Sequence, residues 1–115
     1  MKLPIKTMIG EDCITLEDGE KVYTRIHPEL LAGRPVEVDF AGVGVFASTF
    51  FNAAFGRLLK DLTSEMLNRL LQVTNITPDG LAVLRRVIEN SKEYYTNPKV
   101  REAVDAILNE PVENR

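Results

Sequence analysis

Two adjacent hydroxyl residues, Ser48 and Thr49, follow a strongly apolar segment and precede a run with helical spacing. A hydroxyl at the start of a helix often accepts a hydrogen bond from an unpaired backbone N–H, so N-capping is the simplest structural role. The same position suits a phosphoryl group, because the helix dipole stabilises negative charge there. Phosphorylation would add about two negative charges to an apolar rim and repel an acidic or hydrophobic partner. Both roles stay open, with Ser48 as the first phosphoacceptor candidate and Thr49 as the second.

Residues 42–47 read G-V-G-V-F-A after a predicted strand, which matches the turn that holds a pyrophosphate in dinucleotide-binding folds. Val43, Val45 and Phe46 favour a buried strand that continues through this motif. No acidic residue follows at the distance where a ribose hydroxyl would need one. A small nucleotide-binding domain that uses the turn between Gly42 and Gly44 is therefore an alternative function.

Other reactive side chains are scarce. His27 is the only histidine, so catalytic triads and multi-histidine metal sites lack their usual base or ligand, and we expect it to be a solvated surface group. Cys13 is the only cysteine, which excludes an intrachain disulfide, and its apolar neighbours predict a buried thiol. We therefore predict a protein that is not an enzyme and that holds no metal or cofactor.

The composition is that of one globular domain without a strong charge of either sign. Lys and Arg number 14 against 17 Asp and Glu, a net charge of -3, which leaves few spare cations to neutralise a nucleic-acid backbone. No secretory signal opens the sequence, and small polar residues interrupt the most apolar window, residues 39–57. We predict a single cytoplasmic domain over residues 1–110, a polar tail over 111–115, and no nucleic-acid or membrane partner.

The first third of the chain predicts two short strands and a helix. Residues 3–8 alternate as an edge strand would, and residues 13–16 could pair with them across a turn. Asp18 and Gly19 are typical of a further turn. The helix that follows should kink or restart at Pro28 and end at Gly33. Its apolar residues recur at helical spacing: Val22, Ile26, Leu30 and Leu31.

The rest of the chain alternates strand and helix patterns. Residues 36–40 and 67–73 predict strands, and the helix between them has its apolar residues on one face: Phe51, Ala54, Phe55, Leu58 and Leu59. Thr77 is placed to cap the next helix, with Pro78 in its first turn. A last helix is predicted over residues 98–110, with these side chains inward: Val100, Val104, Ile107 and Leu108. This order predicts an α/β fold with a mixed sheet of about 3–5 strands and helices packed on it.

The segment from Val38 to Arg57, VDFAGVGVFASTFFNAAFGR, resembles the core of STAS domains, which include bacterial anti-sigma factor antagonists. The pattern DF-x-G-V…S-x-x-F…F-G-R-L is closer still to a bacterial STAS-like domain of unknown function. This resemblance covers residues 36–88 and implies a STAS-like α/β fold and a cytoplasmic regulator without enzymatic activity.

The resemblance also implies a partner and a site. In classical members the serine at the position of Ser48 is phosphorylated by a histidine-kinase-like ATPase, the anti-sigma factor, which binds the unphosphorylated form. Ala47 and Phe50 stand where these members have aspartate and glycine. The implied partner-binding residues are Ser48, Thr49, Phe50, Asn52 and Arg57. A third interpretation is a structural module that forms homo-oligomers through Tyr94, Tyr95 or the last helix.

Overall fold

Three parallel strands organise the computed structural model, which describes residues 1–96. The elements in chain order are β1 (Lys2–Pro4), α1 (Ile5–Met8), β2 (Asp12–Cys13), α2 (Leu16–Leu31), β3 (Val36–Asp39), β4 (Val45–Phe46), α3 (Ser48–Ala54), a 3₁₀ helix (Gly56–Lys60), α4 (Ser64–Leu70), β5 (Leu71–Thr74) and α5 (Pro78–Thr96). The main sheet has the order β1-β3-β5, and β2 pairs separately with β4. The predicted α/β class is confirmed.

The main sheet has one apolar and one polar face, because side chains alternate along each strand. Leu3 lies opposite Val38, and Val38 lies opposite Val73, all on the face that the helices cover. The other face carries Lys2, Glu37, Asp39, Gln72 and Thr74. On that face Thr74 donates a hydrogen bond of 2.9 Å to Glu37. The fold therefore has two layers, with its core between the sheet and the helices.

The N-terminal segment is only partly as predicted. The edge strand is confirmed for Lys2–Pro4, but Ile5–Met8 forms a helical turn. The expected pairing of residues 13–16 with this strand is wrong, because Asp12–Cys13 pairs with β4 instead. Asp18 and Gly19 lie in the first turns of α2 and not in a separate turn, since the Thr15 hydroxyl accepts a bond from the Asp18 N–H and starts the helix early.

Helix α2 runs from Leu16 to Leu31 as one element that includes Pro28. The predicted restart at Pro28 is therefore wrong. The predicted end is confirmed, because Gly33 takes a left-handed φ of 79° just after the helix and its N–H bonds the carbonyl of Leu30. Of the apolar residues predicted on this helix, Val22, Ile26 and Leu30 are fully buried, whereas Leu31 is 51% exposed.

The segment after β3 departs from the prediction of a continuous buried strand. Gly42 has a φ of 83°, which turns the chain, and the strand that follows it, β4, contains just Val45 and Phe46. Val43 is buried as predicted, whereas Val45 is 47% exposed. The following helical pattern is also shorter than predicted, because α3 ends at Ala54 and a 3₁₀ helix follows. A cluster of phenylalanine rings nevertheless fills the core here: Phe40, Phe46, Phe51 and Phe55.

The remaining third contains one further correction. Residues 67–70 belong to α4 and not to a strand, because the Thr63 hydroxyl caps a helix there, and β5 starts only at Leu71. The cap of α5 is confirmed, since Thr77 accepts a bond from the Gly80 N–H. The predicted last helix and the tail over 111–115 lie outside the described residues. Within residues 1–96, no helix is both long and apolar enough to cross a bilayer.

Candidate functional site

Ser48 and Thr49 are the first two residues of α3, and both are exposed. The residue at the N-cap position is Ala47, which makes no side-chain hydrogen bond to the helix. The predicted hydroxyl cap is therefore wrong, because the helix starts one residue earlier than a serine cap would allow. Capping thus does not account for the two hydroxyls, and solvent reaches both.

The short β2–β4 ladder positions these hydroxyls next to a distant part of the chain. Asp12 pairs with Val45, and the N–H of Ala47 donates a 2.9 Å bond to the carbonyl of Cys13. Cys13 and Phe46 point inward, so alternation places Ile14 and Val45 on the outer side of the ladder. The ladder therefore brings residues near position 14 beside the start of α3.

Three exposed apolar side chains lie in or next to the two segments that this ladder joins. Ile14 is 43%, Leu16 50% and Val45 47% exposed. Within residues 1–96 only two other large apolar residues are as exposed, Met1 and Leu31. We name the group Ile14, Leu16, Val45, Ser48 and Thr49 the Ser48 surface. The three apolar members were not predicted as site residues, because the β2–β4 pairing that brings their segments together cannot be recognised from either segment alone.

The other predicted contact residues differ in their exposure to solvent. Asn52 is exposed on α3. Phe50 is fully buried, and its ring packs edge-on against Phe51 with the centroids 5.5 Å apart. Phe50 is therefore corrected from a partner-binding residue to a core residue. The reason is that α3 packs against both α2 and α5, so two successive phenylalanines of this helix are buried.

Arg57 and His27 belong to one cluster that joins α2 to the segment after α3. The Arg57 guanidinium lies 4.2 Å from the centre of the Tyr23 ring and 3.6 Å from a carboxylate oxygen of Glu20. The His27 ring stacks on Tyr23 at 4.6 Å, and its Nε2 lies 2.9 Å from Asp61 Oδ2. With a side chain only 20% exposed, His27 is not the solvated group that was expected. Arg57 retains 46% exposure, so it could still contact a partner.

The turn at Gly42 and Gly44 does not form a phosphate cradle. The backbone N–H groups of Gly44 and Val45 both bond the carbonyl of Glu11, at 3.1 and 3.4 Å, so these donors do not point to a ligand. A Cβ on Gly42 would lie 2.7 Å from the Lys6 side chain, which already occupies that side of the turn. The geometry therefore does not favour the nucleotide-binding alternative.

Cys13 is fully buried beneath the Ser48 surface, as predicted. Burial first, and then the negative charges of Asp18 and Asp12, raise the pKa of its thiol to about 12. The thiol is therefore protonated and unreactive at neutral pH.

Asp39 is the most strongly hydrogen-bonded carboxylate of the polar sheet face. It accepts bonds of 2.9 Å from the Asn75 side chain and from the Ala41 N–H, and the Lys2 ammonium lies 3.8 Å away. The pKa of Asp39 is lowered below its usual 3.8 mainly by the hydrogen bond from Asn75, next by the one from Ala41, and also by the charge of Lys2. These contacts tie the ends of β3 and β5 together, which is a structural role. Across residues 1–96, no group of three His, Cys, Asp or Glu could hold a metal ion.

Comparison with known proteins identifies one family. A family model described as a STAS-like domain of unknown function (DUF4325) matches residues 18–81, more than half of the chain. The match contains Val45, Ser48, Thr49 and the aromatic core, and ends in the first turn of α5. No curated protein and no solved structure matches the sequence.

Proposed function

The chain belongs to the family of STAS-like domains of unknown function, and on that premise we propose that it is a non-enzymatic regulatory domain that binds another protein through the Ser48 surface. Ser48 would be the phosphoacceptor, and Thr49 beside it would contact the partner. The partner would be a histidine-kinase-like ATPase of the anti-sigma factor type in the bacterial cytoplasm. Asn52 and Arg57 would extend the contact along α3 and beyond it.

One observation carries this proposal: two exposed hydroxyls follow directly on β4, and three exposed apolar side chains lie in or next to the two segments that the β2–β4 ladder joins. When a partner covers a half-exposed apolar side chain, binding is stabilised by about 25 cal/mol for each Å² of apolar surface that is removed from water. Soluble monomers rarely group such side chains without a binding role. The hydroxyls lie in the same surface, so a modification there would act directly on the contact.

A phosphate on Ser48 would act through hydration and charge. A partner that covers Ile14 and Val45 would also remove water from the phosphate dianion, which opposes binding unless new cationic partners replace that water. The carboxylates of Asp12 and Asp18 already lie close enough to Cys13, beneath this surface, to raise the pKa of its thiol. The phosphorylated form should therefore bind a partner selected by the unmodified surface more weakly.

The decisive experiment measures binding of the unmodified protein and its variants to histidine-kinase-like ATPases of the source organism by calorimetric titration. Wild type and Ser48→Ala should bind with equal affinity, whereas Ser48→Asp should bind roughly ten-fold or more weakly. Ile14→Ser should also weaken binding, since it removes apolar contact without adding charge. Asn90→Asp, an equal charge change at an exposed position of α5, is the matched control and should bind like wild type.

Incubation of the same ATPase with Mg²⁺-ATP should add one phosphoryl group, located at Ser48 by mass spectrometry and absent in Ser48→Ala. If Ser48→Asp and Asn90→Asp bind equally, the switch is refuted, and weaker binding of Ile14→Ser alone would still identify the Ser48 surface as the contact. If Ile14→Ser also binds like wild type, the Ser48 surface is not the contact.

A further inference from the structure

One side of helix α2 carries a stripe of residues that begins within the Ser48 surface and continues towards Arg57. Four residues of the helix recur at i, i+4, i+7 and i+11 and so lie within about 60° of one another around its axis: Leu16, Glu20, Tyr23 and His27. Leu16 belongs to the Ser48 surface, and Tyr23 lies about 10 Å further along the helix axis. We name these four residues together with Arg57 the α2 stripe.

Helix α2 and the segment that begins with α3 run side by side in the same direction. Near the start of α2, Gly19 lies against Phe50, and one turn later Tyr23 contacts Arg57. Ser48 at the start of α3 and Arg57 after its end therefore lie along the same seam between the two segments. A partner that covers the Ser48 surface and follows this seam reaches Arg57.

The Arg57 side chain is held in place by its neighbours in the stripe. Its guanidinium lies 4.2 Å from the centre of the Tyr23 ring, where the electron-rich face of the ring attracts the cation. The ring in turn stacks on His27 at 4.6 Å, and His27 Nε2 lies 2.9 Å from Asp61 Oδ2. Because the Arg57 side chain is already ordered, it loses less conformational entropy when a partner binds.

The hydrogen-bond donors of Arg57 nevertheless lack a bidentate acceptor. Within residues 1–96, its ion pair is with Glu20 at 3.6 Å, which is longer than a hydrogen bond. Arg34 shows the opposite case, because its guanidinium donates bonds of 2.8 and 3.3 Å to the two carboxylate oxygens of Glu29. With the Arg57 side chain 46% exposed, its planar set of donors is ordered, reachable from solvent and unsatisfied by the fold.

We propose that Arg57 binds a carboxylate of the protein partner in a bidentate pair, and that Tyr23 is the residue that positions it. This inference rests on the proposed function, since it extends the contact that the Ser48 surface makes. A guanidinium matches the geometry of both carboxylate and phosphate oxygens. A carboxylate is favoured, because the neighbouring Glu20 repels a phosphate dianion about twice as strongly as a single negative charge. The partner would therefore present an acidic side chain about 10 Å from its apolar contact.

Titration of the full-length chain with sodium acetate, which supplies a single carboxylate, tests this site without a partner. At constant ionic strength, the NMR signal of the Arg57 Nε–H should shift roughly three-fold more than those of Arg25 and Arg34. Arg25 is the exposed reference on α2, and Arg34 is the reference whose donors are already bonded. In Tyr23→Leu the Arg57 shift should fall to that of Arg25, whereas Tyr23→Phe, which keeps the ring face, should retain it. Sodium phosphate should shift the Arg57 signal less than acetate does.

Binding to the histidine-kinase-like ATPases of the source organism then tests the contact itself. Arg57→Lys keeps the charge but loses the bidentate geometry, so it should bind roughly ten-fold more weakly than wild type. Arg25→Lys is the matched control, since it makes the same exchange at an exposed position of α2, and should bind like wild type. Tyr23→Leu should also weaken binding, and Tyr23→Phe should retain it.

The outcomes separate this inference from the proposed function. Equal acetate shifts of Arg57, Arg25 and Arg34, or a larger Arg57 shift with phosphate than with acetate, would overturn the inference. Equal binding of wild type and Arg57→Lys to an ATPase would also overturn it and would leave the Ser48 surface as the contact. If no ATPase binds the wild type, the proposed function fails, and the acetate titration still decides whether Arg57 binds a carboxylate.

Discussion

Gly19 lies where α2 crosses α3, and its substitution by alanine tests whether that crossing positions the Ser48 surface. In an exposed helix, Gly→Ala stabilises a protein by about 1 kcal/mol through backbone conformational preference. At position 19 the added Cβ would lie 2.5 Å from the carbonyl oxygen of Phe50 and 2.7 Å from the Cβ of Ala53. Ordinary contacts of these kinds begin near 3.4 Å, so the two helices would have to separate.

The magnitude follows from these two opposing effects. Overpacking destabilises a well-filled core by about 1–3 kcal/mol. Gly19→Ala should lie at the upper end of this range, because two of its contacts would be shorter than 3 Å and one of them is to a backbone atom. The helix preference returns about 1 kcal/mol. The net loss in the free energy of unfolding should therefore be about 2 kcal/mol. Because the Phe50 carbonyl belongs to α3, the helix cannot relieve the clash without moving Ser48 and Thr49 with it.

The assay is urea unfolding followed by circular dichroism, with backbone amide shifts of Ser48 and Thr49 as the structural readout. Gly44→Ala is the control, because a Cβ there would meet nothing within 4 Å and no left-handed φ is required. We expect Gly44→Ala to unfold like wild type and Gly19→Ala to be less stable, with shifted Ser48 and Thr49 amides. A Gly19→Ala protein as stable as wild type or more so would show that the α2–α3 approach is not this close.

Two further predictions concern titratable groups. The Cys13 thiol has a pKa of about 12 in the folded protein and its usual value of 9.0 in urea-unfolded protein. At pH 8 the native thiol should therefore react with Ellman's reagent on the order of 1000-fold more slowly than the unfolded one. A native rate within ten-fold of the unfolded rate would contradict the burial of Cys13. Asp39 has a lowered pKa in the folded state, so its charge stabilises the fold above pH 3.8 and this stabilisation is lost as the pH falls below that value. Unfolding measured from pH 6 to pH 2 should therefore show a flatter acid limb for Asp39→Asn than for wild type, and identical slopes would argue against the Asn75 and Ala41 bonds.

Local patterns predicted the elements whose signals lie within a few residues of one another. The alternation over 36–40 predicted β3, and Thr77 with Pro78 predicted the start of α5, because capping and side-chain alternation depend on near neighbours. The prediction of one strand over residues 67–73 is wrong in its first half, because residues 67–70 end α4 and the strand starts at Leu71. A short apolar run has no decisive period, and the Thr63 cap that decides the outcome precedes it.

Phenylalanines 50 and 51 show a second limit of prediction from sequence. The two residues have the same side chain at adjacent positions, and a helix that packs on one face would expose one of them. Both are fully buried because α3 packs against α2 and also against α5. The number of neighbours around a helix is a property of the assembled fold, so it could not be read from α3 itself.

The amino-acid sequence alone determined that two hydroxyls stand at the junction of an apolar segment and a helix, and that the chain has one histidine and one cysteine. Only the tertiary structure decided what surrounds those hydroxyls. A two-residue ladder pairs the segment before Ile14 and Leu16 with the strand that precedes Ser48, about thirty residues away along the chain, and Phe50 is buried in the core. The physical reason is that helix starts depend on local hydrogen bonds, whereas exposure depends on which distant segments pack together.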